Sequence, residues 1–133
     1  MKHISMLFSY LILLAACVMF AWGFLGFIEY FFQFAPLMPL QNPTFPNGTQ
    51  FIHWLLILTS GSVYLIGYFT RWKYTPFAMV VIYSMLGTLC AVETFDLMTN
   101  PDRYASFVRE VIYYVIISVY LFRSERMQLH FGR

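Results

Sequence analysis

The chain has 133 residues, of which 60% are hydrophobic and only 11% charged, and its net charge is +2. A soluble domain carries roughly 25% charged residues, so the composition is that of an integral membrane protein. The Lys and Arg residues form no single basic stripe, which gives no reason to expect a nucleic-acid partner. The two cysteines, Cys17 and Cys90, lack C-x-x-C spacing and supply neither a disulfide framework nor a dithiol motif. At mid-membrane depth each reads as a small packing residue.

Four segments reach the roughly 20 apolar residues that a hydrocarbon core requires: 4–34, 51–70, 77–97 and 104–122. The first begins like a lipoprotein signal, with Lys2, an apolar run and then Leu14-Ala15-Ala16-Cys17. Because the run continues through Phe27, it reads instead as a first transmembrane helix. The connection 35–50 holds Pro36, Pro39, Pro43 and Pro46 and no charge, so it predicts a rigid, non-helical loop across the mouth of a bundle. It also contains a formal glycosylation sequon, Asn47-Gly48-Thr49.

The second connection, Arg71-Trp72-Lys73-Tyr74-Thr75-Pro76, predicts a tight turn with Trp72 between two cations at headgroup depth, a cytoplasmic anchor. Pro76 then opens the third helix. Asn100-Pro101 marks the last turn, and the tail 123–133 is a short basic amphiphile expected on the membrane surface. The expected fold is therefore all-α, one antiparallel four-helix membrane domain over 1–133. Lys2, Arg71, Lys73, Arg123, Arg126 and Arg133 fall at the end holding both termini, against Arg103 and Arg109 opposite, which predicts cytoplasmic termini in a multi-pass protein of the inner cell membrane.

Five of the six acids fall at the opposite, outer end. There Glu29, His53, Glu93, Asp96, Arg109 and Glu110 come together at one level from distant parts of the chain. Glu93 and Asp96, at i and i+3, are expected on one helix face running inward through Cys90, Gly87 and Tyr83. Arg109 and Glu110 lie five or six residues inside the last helix, about 8 to 9 Å at 1.5 Å per residue, where an ionisable group needs a partner or water. Three readings remain open. Arg109 pairs with Glu93 or Glu29 and ties helices together, the cluster is the polar end of a pocket for a quinone, lipid or sterol-like molecule, or His53 and the carboxylates hold a metal. No H-x-x-H or E-x-x-H spacing supports the last.

Several tyrosines inside the segments, among them Tyr64, Tyr83, Tyr114 and Tyr120, are expected to hydrogen-bond across helices. Gly23, Gly26, Gly61, Gly67 and Gly87 are expected to allow close helix approach.

The second segment ends in Gly67-Tyr68-Phe69-Thr70-Arg71, and the third carries Met85-Leu86-Gly87. This stretch resembles the DoxX-like family of small four-helix membrane proteins, whose second helix closes with a Gly-x-x-Thr-Arg pattern. The resemblance implies a subunit associated with membrane oxidoreductases, bound to other membrane subunits or to copies of itself. Glu29 stands where that family often carries a cation, so no catalytic residue is carried over and the cofactor stays unknown. Glu29 and the turn Trp72-Lys73-Tyr74-Thr75-Pro76 are also similar to EXPERA-type sterol-binding proteins, although the second helix offers Thr59, Ser60 and Ser62 where that family places a Glu. The expectation is an accessory subunit without catalytic activity of its own, with a membrane-embedded binding protein or enzyme as the alternative.

Overall fold

A computed structural model describes residues 2–132, Lys2 by its backbone alone. Of the cations expected at the terminal end, the Lys2 side chain and Arg133 lie outside the described residues. All regular elements among the described residues are helical: α1 (Lys2–Phe32), α2 (Asn47–Thr70), α3 (Thr75–Val92), a π-helical turn (Glu93–Leu97), α4 (Arg103–Arg123) and α5 (Glu125–His130). Four of these stretches are long and apolar enough to cross a membrane. Such helices satisfy their own backbone groups, which is the condition for standing in hydrocarbon.

Between α1 and α2 the chain buries backbone against backbone. A Cβ placed on Gly23 would lie 2.6 Å from the Leu58 amide nitrogen, and one on Gly61 would lie 2.5 Å from the Phe20 nitrogen and 2.7 Å from the Ala16 carbonyl oxygen. At Gly26 the Trp54 indole occupies the space a side chain would need. The pairings Gly23 with Leu58, Gly26 with Trp54 and Gly61 with Phe20 run in opposite directions, so α1 and α2 are antiparallel. Small residues permit this because helix association in lipid rests on close van der Waals contact, with no hydrophobic force between the helices. Gly87 departs from the expected role, since nothing lies within 4 Å of a Cβ built there.

The turn after α2 follows from its sequence. Arg71 adopts the left-handed conformation (φ 54°), and the Trp72 amide donates to the Gly67 carbonyl at 2.9 Å while the Arg71 amide reaches Tyr68 at 3.3 Å. This is a Schellman closure with Arg71 in the position usually taken by glycine. The Thr70 hydroxyl donates back to Ile66 at 2.7 Å in the last turn, and Arg71 caps the helix. Thr75, fully buried against Gly67, donates to the Trp72 carbonyl at 2.6 Å and starts α3 together with Pro76. Arg71, Trp72 and Lys73 remain exposed at this end.

Three further boundaries differ from the sequence expectation. The proline loop ends earlier, because Asn47-Gly48-Thr49-Gln50 already forms the first turn of α2 behind Pro46. The third segment does not stay α-helical to residue 97: the Met98 amide donates to the Glu93 carbonyl at 2.8 Å, a five-residue span. The tail does not lie free on a surface. It breaks at Ser124 and folds back as α5, burying Met127 and Phe131 beneath the bundle while Leu129 stays outside. His130 stacks on Tyr68 at 4.2 Å and its Nε2–H donates to the Tyr68 carbonyl at 2.8 Å.

The start of α1 and the end of α4 lie side by side. The Tyr120 hydroxyl donates to the Ser5 carbonyl at 2.6 Å, Ser5 Oγ sits 3.2 Å from Ser124 Oγ, and the Phe8 and Tyr120 rings meet edge to face at 4.6 Å. Higher up, α3 and α4 are spaced by the stacked rings of Tyr83 and Tyr114, 4.9 Å apart.

Candidate functional site

The six residues expected in one polar cluster divide into five separate arrangements, each with its own cause. Glu29, in the last turn of α1, is buried and serves the loop. Its carboxylate accepts the Leu40 amide at 2.6 Å and the Gln41 amide at 3.4 Å, and the Gln41 side chain donates to the Gly26 carbonyl at 3.1 Å. Prolines supply no N–H, so the loop has few amides to offer, and two of them converge on this one acid. Gln50 holds the other side of the loop by pairing with both the amide and the carbonyl of Asn42, at 3.2 and 3.0 Å. The strap brings Phe45 to 6.3 Å from the His53 ring.

His53 and Glu93 form an ion-pair geometry across α2 and the π-helical turn, with Nδ1 2.8 Å from Oε1. The imidazole Nδ1–H donates to the carboxylate, which orients the ring. Glu93 is 5% exposed. The π-helical turn explains why Asp96 is not beside it: the wider turn takes up an extra residue and rotates the backbone beyond it, so Glu93 faces inward and Asp96 is exposed. The expected shared face is therefore broken at Glu93.

Glu110 points inward from α4, where Cys90 Sγ–H donates to its Oε2 at 3.0 Å. Its neighbour Arg109 is exposed, and the guanidinium donates to Ser106 Oγ at 3.3 Å. Arg109 pairs with neither Glu93 nor Glu29, which overturns that expectation. Consecutive residues on a helix do not face the same way, so when Glu110 turns in, Arg109 must turn out.

His53, Cys90 and Glu110 all line one cavity of about 410 Å³ that draws walls from all four long helices. Ile12 and Met19 contribute from α1, Ile57 and Tyr64 from α2, Leu86 from α3 and Ile117 from α4. The remainder is mostly apolar, and among the described residues no Lys or Arg lines it. His53 and Tyr64 lie eleven residues apart on α2, so the cavity runs on the order of 16 Å along the helix axis. Tyr64 is 1% exposed and its hydroxyl has no hydrogen-bond partner in the protein. A buried group left unpaired costs about 1 to 3 kcal/mol.

Among the described residues no group of three or more His, Cys, Asp or Glu side chains is arranged to hold a metal ion. The chemistry on offer is hydrogen bonding and proton exchange at one end of an apolar chamber, from an imidazole oriented by one carboxylate and from a second carboxylate beside it. The sequence pointed to His53, Glu93 and Glu110 by depth. It set Cys90 on the face below Glu93 but read it as a packing residue, and it did not reveal Tyr64 as a member. No protein family, curated protein or solved structure matches the chain.

Proposed function

We propose that the chain is a multi-pass membrane protein that binds a small, largely apolar molecule of quinone, lipid or sterol-like class inside its four-helix cavity. The observation that carries this reading is the convergence of His53, Cys90 and Glu110 on one end of an otherwise apolar space of about 410 Å³, within the range of small-molecule sites. The unpartnered Tyr64 hydroxyl supports it, since a polar atom of a bound molecule would recover the lost hydrogen bond. Met19→Trp, which fills the chamber from its partly buried α1 wall, tests the idea. Native mass spectrometry of the wild type from mild detergent is expected to retain a small-molecule adduct, and the variant to lose it at unchanged Tm. A wild type that neither carries nor takes up any apolar molecule sinks the reading.

A second reading, a subunit of a larger membrane oxidoreductase complex, draws on α4. Leu121 is the one fully buried residue of that helix, and Arg109 stands on its exposed side with no acidic partner among the described residues. The DoxX-like pattern at Gly67, Thr70 and Arg71 agrees with it. Purification in mild detergent as a lone polypeptide, without partner or self-association, would reject this second reading. Arg71, Lys73, Arg123 and Arg126, all at the terminal end, support an orientation with both termini in the cytoplasm. A reporter fused to the C-terminus that is active only outside the cytoplasm contradicts it.

A further inference from the structure

Resting on the binding reading above, we infer that the cavity selects ligands whose head group donates hydrogen bonds, an alcohol or a protonated amine, over ligands that carry a carbonyl head. The donors and acceptors at the His53 end set this preference. The imidazole Nδ1–H is already spent on Glu93. The Cys90 S–H is spent on Glu110 and the Ser60 O–H on the Ile57 carbonyl at 2.9 Å. Glu110 has taken one donor, and a carboxylate has room for several more.

What remains free at this end is therefore acceptor capacity. The other donors among the lining residues are the Trp22 indole and the tyrosine hydroxyls, and a hydroxyl accepts as readily as it donates. Charge adds to the asymmetry. Glu110 lines the space and Glu93 stands directly behind His53, whereas Arg109, the nearest cation in sequence, is turned to the outside. A carbonyl oxygen brought to this end would face the Glu110 carboxylate with no Lys or Arg among the lining residues. A hydroxyl or an ammonium would find the Glu110 carboxylate already oriented by Cys90. The rings of Trp22 and of the stacked pair Tyr83 and Tyr114 favour the ammonium further.

Three probes of matched chain length separate the cases: dodecanol, dodecylamine and the methyl ketone tridecanone. Each is titrated against the full chain in nanodiscs, with binding read by native mass spectrometry after release. The alcohol and the amine are expected to bind about tenfold more tightly than the ketone, the difference one mismatched hydrogen bond makes. Amine well above alcohol identifies charge as the main selector, and the two at parity identify hydrogen donation, both within the inference. Glu110→Gln, which places an N–H donor at the same site, is expected to bring the ketone level with the alcohol. Ketone binding equal to or tighter than the alcohol in the wild type overturns the selectivity while leaving the cavity a binding site. Failure of all three probes, with Met19→Trp indistinguishable from wild type, overturns the binding reading and this inference with it. A Glu110→Gln protein that does not fold is replaced by Cys90→Ser, which keeps the donor to Glu110 and is expected to retain the wild-type order of affinities; a reversed order would count against the inference.

Discussion

The seam between α1 and α2 and the space between α1 and α4 are built from the same kinds of apolar helix, yet one is filled to backbone contact and the other is open. At the seam, Gly23, Gly26 and Gly61 let Leu58, Trp54 and Phe20 settle directly onto the opposite helix. Against α4 the residues are large and ring-bearing. Tyr83 on Tyr114 holds α3 and α4 apart, and α1 is tied to α4 at the terminal end by Ser5 and Phe8 with Tyr120. Hydrogen bonds at one end and bulky rings along the length leave the middle unfilled. In this chain glycine placement decides where the bundle is a fixed scaffold, and tyrosine placement decides where it holds a chamber.

The sharpest way to break that contrast is to add one methyl group to the seam. Gly61→Ala would set a Cβ 2.5 Å from the Phe20 nitrogen and 2.7 Å from the Ala16 oxygen, backbone atoms that cannot rotate away. The helices must separate, and the expected loss is roughly 3 kcal/mol, at or above the upper end of ordinary overpacking costs. Thermal unfolding in detergent measures it as the largest fall in Tm of the three substitutions considered. A Tm within experimental error of wild type would mean that the seam is not close-packed.

Loosening the other side is expected to cost less. Tyr120→Phe keeps the ring against Phe8 and removes the hydroxyl that donates to the Ser5 carbonyl. Hydrogen bonds between helices in a membrane are worth about 0.6 kcal/mol on average and rarely exceed 1.7 kcal/mol, so a loss of about 1 kcal/mol is expected. The more telling measurement is hydrogen exchange, which should rise at the end of α4 and in α5 and stay unchanged along α1 and α2. Faster exchange across the whole molecule would show that α4 and the seam do not respond separately.

Much of this contrast is legible in the residues and part of it is not. Four apolar runs and a proline-rich connection are enough to set out the helices, their order and the loop, because span length and missing N–H groups are properties of composition. Depth along a helix is equally legible, and it places Glu29, His53, Glu93 and Glu110 near one end. Direction around the axis is not. The π-helical turn has no residue that announces it, and it alone sends Glu93 toward His53 and Asp96 outward. Arg109 and Glu110 are adjacent, so depth cannot say which faces in; the packing of α4 on α3 decides. The fold-back of α5 is hidden for a similar reason. Met127 and Phe131 look like membrane-surface anchors until the bundle offers them a place to be buried.

Gly87 provides the finest test, since by sequence it belongs with the seam glycines and by position it does not. It sits midway along α3, one residue after Leu86, which lines the cavity, and no heavy atom lies within 4 Å of where its Cβ would be. Gly87→Ala therefore meets no neighbour and removes the backbone freedom that makes glycine a poor helix residue. It is expected to stabilise the protein by about 0.5 kcal/mol, the opposite sign to Gly61→Ala, although both exchange the same glycine for the same alanine in the middle of a helix. Tm measured on the two variants side by side decides the matter. A fall at Gly87 comparable to that at Gly61 would mean that α3 approaches another helix as closely as α1 approaches α2, and the chamber would then have no room beside it. A small rise would locate the close packing in the seam and leave α3 and α4 as the side on which the bundle holds its space.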